Sequence, residues 1–160
     1  MESLPSYKAC FVCGKENMQG LAIQFFAGEN VVRGSFTPLN YLCGFPGILH
    51  GGILASVADE VMWWAASWKR ASSCVTVEMN VKYLKSAPTD QEYELIARVV
   101  REKRRILEVE GEVRDKEGQI YAAARGKYLM FTDEKNRETM QLLDFKGCSD
   151  QVKERYLKGP

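Results

Sequence analysis

The stretch GFPGILHGGILASVADEVMWW, residues 44–64, holds the densest chemistry in the chain. His50, the only histidine, precedes Gly51 and Gly52, and Asp59 follows it by nine positions inside an otherwise apolar run. The pattern predicts a helix opening at Gly51. The first amides of a helix lack internal partners and carry partial positive charge. Glycines there would let a ligand carbonyl come close to the N–H groups of Gly51 and Gly52. Such donors stabilise the oxyanion of acyl transfer, and removing one costs about 3 kcal/mol in other systems. The same glycines would equally serve tight packing of helix on sheet. Positions 52, 55, 56, 59, 62, 63 and 66 share a helical face, and Gly52, Ala55, Ser56 and Ala66 make most of it small. A carboxylate on that face points to a channel or a close partner helix, because an unpaired buried carboxylate is costly. Asp59 could attack a carbonyl, act as base toward water, or pair with a cation on a sheet. Glu60 lies about 100° further round the helix and would be the acid if the helix were rotated. His50 could order the chain entering the helix or touch a ligand.

What positions these groups is a sheet. Residues 20–36 read as a hairpin around Gly28-Glu29-Asn30, and residues 38–47 as a loop punctuated by Pro and Gly. The helix is predicted from Gly51 to Trp68 or Lys69. Residues 73–87 then alternate, placing Val75, Val77, Met79, Val81 and Tyr83 on one face and Thr76 on the other, until Pro88-Thr89-Asp90 breaks the run. Residues 92–131 read as three antiparallel strands turning near Glu102–Arg105 and at Lys116-Glu117-Gly118. From Thr132 the pattern is polar and helical, with Asp133 as cap, and a loose tail runs on to Pro160. A hairpin, one long helix and four strands describe an α+β fold, an antiparallel sheet wrapped around one central helix. The reading is a single domain over residues 1–160, its core about 10–131. The all-round apolar character of residues 53–68 predicts a helix covered on every side. The sheet edge predicts pairing in an oligomer.

Composition narrows the function classes. The chain has 160 residues, 46% apolar and 27% charged, with a net charge of +1, so no global field favours nucleic acid or membrane. Residues 53–68 are too short and too charged to cross a bilayer, which needs roughly 20 apolar residues. No basic flank precedes an apolar run near Met1, so no signal peptide is expected, and the odd count of five cysteines fits reduced thiols in a cytoplasm. Cys10-x-x-Cys13 could be half a zinc site, but a mononuclear site would need Cys43 and His50 to converge on it. The ligand count therefore predicts no metal.

Three strings, CFVCGKENMQGLAIQF, HGGILASVAD and VTVEMNVKYLKSA, together with the closing EGEVRDKEGQIYAAARGKY, resemble the hotdog-fold acyl-CoA thioesterases of the phenylacetate-pathway and 4-hydroxybenzoyl-CoA type. The resemblance covers about residues 10–131. It implies a hydrolase that cleaves an acyl-CoA to free acid and CoA, with CoA as part of the substrate and no bound cofactor. It implies Asp59 as nucleophile or general base, the Gly51 amide as oxyanion donor with Gly52 beside it, and His50 in support. Thr76 would hold the attacking water or the acid, or would be a strand-favouring residue only. Arg104 and Arg105 at the hairpin, with Lys82 and Lys85, could clamp the phosphates of CoA or be solvated turn charges. A homodimer, assembling into a tetramer, is implied. At Gly44 several relatives carry Asn, and the fold's dehydratases carry a catalytic His in a similar string, so a dehydratase would lack its base here. The other alternative is a non-catalytic acyl-CoA-binding protein.

Overall fold

The apolar run after His50 forms helix α1 (Gly51–Arg70). His50 caps it: the ring Nδ1 accepts the Gly52 N–H at 2.8 Å, satisfying one of the orphan donors of the first turn. Lys69 and Arg70 lie in the last turn, where cations complement the helix dipole, and Ala71 in the left-handed region (φ 48°) ends it.

A computed structural model describes residues 1–158. Strands β1 (Glu2–Ser3) and β2 (Ser6–Tyr7) open the chain, followed by β3 (Phe25–Ala27) and β4 (Val32–Phe36), the expected hairpin. Short strands β5 (Cys43–Phe45) and β6 (Ile48–Leu49) form a small ribbon before α1. After α1 come β7 (Cys74–Tyr83), β8 (Tyr93–Lys103), β9 (Ile106–Arg114) and β10 (Ile120–Met130). Helix α2 (Asp133–Met140), strand β11 (Leu143–Asp144) and helix α3 (Asp150–Lys158) complete the described chain. Seven strands make one antiparallel sheet in the order β1-β3-β4-β8-β9-β10-β7. This is the α+β hotdog arrangement, with α1 packed across one face of the sheet.

Burial alternates strictly along β9, so one face meets α1 while the other stays wet. Leu54, Val57, Val61, Met62 and Trp64 of α1 are buried against Leu95, Leu107, Val109 and Tyr128. Gly111 permits the close approach, since a Cβ there would stand 2.7 Å from Met62 Cγ.

Four expectations change. The alternation of β7 does not run unbroken: a bulge falls where Tyr128 pairs with Thr76 but Lys127 pairs with Glu78. The extra residue reverses the phase, so Met79 and Val81 share the helix-facing side with Thr76, and Val75 and Val77 are left exposed. The tail is not loose. Strand β11 pairs with β2, and Val152 and Tyr156 of α3 are buried, Tyr156 lying against Trp64 and Trp68. Thr132, not Asp133, is the N-cap residue of α2, and its side chain makes no capping bond. Finally, α1 is not covered on every side. Gly52, Ala55, Ser56 and Asp59 retain exposure, because one sheet and the terminal segments cover only part of its circumference.

Candidate active site

Asp59 sits mid-helix on that open face. Its Oδ1 accepts the Thr76 hydroxyl and the Tyr128 phenol, both at 2.9 Å, and Tyr128 also reaches the Asp59 carbonyl at 3.2 Å. Among the described residues no donor reaches Oδ2. The two hydroxyls come from β7 and β10, whose register sets Thr76 directly opposite Tyr128. Burial, followed by the charge of Asp59, pushes the Tyr128 phenol well above its usual pKa, so it stays a proton donor. The result is an oriented carboxylate with one oxygen held and one free.

Tyr128 is the site residue that sequence reasoning missed. One signal was present in Gly126, two positions earlier. A Cβ at Gly126 would stand 2.9 Å from Tyr128 Cε2 and 3.1 Å from its hydroxyl, so the glycine makes room for the ring to lean along the strand toward Asp59.

The N-terminus of α1 forms the second half. His50, Gly51, Gly44, Phe45, Tyr83 and Lys85 line part of an open cleft of about 710 Å³. The Gly51 N–H has no protein acceptor among the described residues, whereas the Gly52 N–H is engaged by His50. Gly52 is therefore not a free donor. Its missing side chain serves the cap, since a Cβ there would stand 2.9 Å from His50 Nδ1. Tyr83 donates to the Gly51 carbonyl at 3.1 Å, steadying the first turn from β7. A Cβ at Gly44 would stand 3.2 Å from His50 Cδ2, so this glycine accommodates the capping imidazole.

The four cations do not gather at one place. Lys85 lines the Gly51 cleft, its ammonium 5.4 Å from the Tyr121 ring centroid, while Lys82 is exposed on β7 and not among that cleft's lining residues. Arg104 and Arg105 lie on the β8–β9 turn, in a separate hollow with Arg70. Arg105 donates from Nε and Nη2 to the Met130 carbonyl at 3.0 and 2.6 Å, and the Arg104 carbonyl accepts from Arg70. These arginines hold the hairpin at the far end of α1.

Glu60 points elsewhere. Its Oε1 accepts the Trp64 indole N–H at 3.1 Å and lies 3.5 Å from Cys10 Sγ. Burial, reinforced by Cys10, pushes its carboxyl up to about 8. The Cys13 thiol and the N–H groups of Cys13 and Val12 draw the Cys10 thiol down against the effect of burial. The convergence of Cys43 and His50 on Cys10 and Cys13 does not occur. Cys43 is exposed on β5 and His50 caps α1.

Residues 46–122 fit the sequence profile of the thioesterase superfamily. No curated protein matches the sequence. Among solved structures, a thioesterase superfamily protein, RHA08564, is 24% identical with a TM-score of 0.72, over 76% of this chain and 63% of its own length; the present chain thus spans less than two thirds of that protein. Escherichia coli PaaI, from the phenylacetic acid degradation operon, is 18% identical with a TM-score of 0.65, over 70% of this chain and 81% of its own. The smu.793 protein of Streptococcus mutans, solved bound to acetyl CoA, is 19% identical with a TM-score of 0.63, over 68% and 88%. These likenesses show the fold, and the resemblance read from the sequence holds. Among the described residues no helix is long and apolar enough to cross a membrane.

Proposed function

From a hotdog fold whose residues 46–122 fit the thioesterase superfamily, we propose that this protein is an acyl-CoA thioesterase, converting acyl-CoA and water to carboxylic acid and CoA. The observation that carries the reading is the Asp59 carboxylate, held by Thr76 and Tyr128 on the open face of α1. The thioester oxygen takes the Gly51 N–H, the free donor at the positive end of α1. Asp59 either removes a proton from the attacking water or attacks the carbonyl itself, forming an anhydride that water then opens. In both routes a water oxygen is gained by the system, the C–S bond breaks, and the sulfur leaves with the electron pair and is protonated. Single turnover in ¹⁸O-water separates the routes, since only the anhydride route can place label in Asp59.

One chain cannot supply both groups to one carbonyl. Gly51 and Asp59 are separated by about 12 Å along the helix axis, whereas the chemistry needs both within about 3 Å. Two chains related by a two-fold axis resolve this, because antiparallel helices bring each N-terminus beside the other's Asp59. The open face with Gly52, Ala55 and Ser56 suits such an approach. So does the outer edge of β7, which has no strand partner among the described residues. The substrate's nucleotide then extends toward Lys85, and the analogous binding of acetyl CoA by the Streptococcus mutans protein supports CoA as the carrier.

The test is hydrolysis of short, long and aryl acyl-CoAs by wild type and Asp59→Asn. Thiol release that falls about a hundredfold or more in the variant, with its fold intact, is expected. No hydrolysis of any acyl-CoA by the wild type, alongside tight binding of one, would make the protein a binding module instead.

A further inference from the structure

The loop after β2 presents two sulfurs to α1. Cys10 Sγ accepts the backbone N–H groups of Val12 at 3.3 Å and Cys13 at 3.4 Å, and the Gly14 N–H closes the turn on the Cys10 carbonyl at 3.0 Å. Gly14 is dictated by this knuckle. A Cβ there would stand 2.4 Å from the Cys10 oxygen and 2.5 Å from that of Lys8. Two amides directed at one sulfur stabilise a thiolate, the form that binds metal. Cys13 is buried beside it. From the other side comes Glu60, and the three ligand atoms all lie within 4.8 Å of one another.

We propose that Cys10, Cys13 and Glu60 form a mononuclear site for a borderline-soft divalent cation, zinc fitting best, with water as fourth ligand. Bonds of about 2.3 Å to sulfur and 2.0 Å to oxygen in a tetrahedron put sulfur and oxygen about 3.5 Å apart. Cys10 Sγ and Glu60 Oε1 are 3.5 Å apart. The surroundings match what metal ligands need. The indole N–H of Trp64 orients the carboxylate, as the backbone amides orient the sulfur. Without a cation the cluster is chemically poor, since thiols are weak donors and a buried carboxylate needs strong ones. Binding would displace thiol protons and tie the 8–20 loop to α1 one residue past Asp59. The site replaces the sequence-based expectation of no metal. The third ligand is a helix carboxylate rather than Cys43 or His50. It stands independently of the thioesterase reading.

The experiment loads the reduced, chelator-treated full chain with cobalt(II), then displaces it with zinc. One cobalt per chain, with a thiolate-to-cobalt charge-transfer band and intense visible bands of a tetrahedral centre, is expected. Zinc should bleach both. Cys13→Ser should weaken binding and cut the charge-transfer band to about half or less, and Glu60→Gln should weaken binding by about tenfold or more. Cys43→Ser and Cys148→Ser should change nothing. Because substitutions beside the core could unfold the chain, X-ray absorption on the zinc-loaded wild type supplies a second reading, expected to show two sulfurs near 2.3 Å and the rest oxygen. Cobalt uptake without the sulfur band, binding unchanged in Cys13→Ser or in a folded Glu60→Gln chain, or a zinc shell lacking sulfur would each overturn the proposal.

Discussion

Replacing Tyr128 with Phe removes one oxygen and leaves the ring that Gly126 makes room for. The lost hydroxyl donates to Asp59 Oδ1 at 2.9 Å and reaches the Asp59 carbonyl at 3.2 Å. A hydrogen bond to a charged group contributes about 1.5–3 kcal/mol, which corresponds to about ten- to a hundredfold in rate if fully expressed in the transition state. Thr76 continues to hold the same oxygen, so the effect should fall near the lower bound, about tenfold in kcat. Tyr128 touches no substrate in this scheme. It acts through Asp59 as a positioning residue, so KM should hold while kcat drops. Thr76→Val should behave likewise, and the double variant should lose more than the product of the two, because each hydroxyl partly covers for the other. Steady-state thiol release from a reactive acyl-CoA measures kcat and KM, and thermal unfolding checks that each variant stays folded. A Tyr128→Phe enzyme with wild-type kcat, when Asp59→Asn is inactive, would refute the positioning argument.

Lys85→Ala should raise KM for an acyl-CoA but not for the matching acyl-pantetheine, and Arg105→Ala should instead lower thermal stability through its lost bonds to Met130; equal KM effects on both substrates would remove Lys85 from nucleotide binding. Burial raises the Glu94 carboxyl, but Arg114 and Arg33 outweigh it and hold it below its ordinary value, so its stabilisation is present above the unfolded pKa and is lost as pH falls through the folded one. The thermal midpoint gap between wild type and Glu94→Gln should therefore be widest at neutral pH and close in acid, and a gap independent of pH would contradict the sign. Co-refolding inactive Asp59→Ala and Gly51→Val chains should restore activity, since a hybrid dimer keeps one intact site; an inactive mixture in which hybrids demonstrably form would rule out the shared site.

The parts of the site that lie close together in the chain were legible. His50, Gly51 and Asp59 follow from one helix, whose start and face can be counted off. The antiparallel strands and their turns were legible too, because their alternation is strict. What could not be read depends on contacts between distant segments. Tyr128 meets Asp59 only through the β7–β10 register, and a bulge that no residue type announces brings Thr76 and Met79 to one side. Arg104 and Arg105 looked like phosphate ligands by type and number. They lie at the far end of a 20-residue helix, about 30 Å long, from their own chain's Gly51 cleft, and there Arg105 holds the Met130 carbonyl.

Asp59 and Glu60 show why adjacent residues of like charge could not be assigned from the chain alone. A rotation of about 100° on one helix separates them, and everything else differs through what that rotation meets. On one side two hydroxyls from the sheet hold a single oxygen of Asp59 and leave the other toward an open face of small residues. On the other side Glu60 meets an indole N–H and two sulfurs brought by the N-terminal loop, and burial drives it toward its protonated form. The first environment holds one carboxylate oxygen and leaves the other free, which is what attack on a thioester or on water requires. The second disfavours charge unless a cation supplies the compensation. The two proposals therefore place chemistry at Asp59 and ligand binding at Glu60 by the donors each one meets rather than by the acid itself.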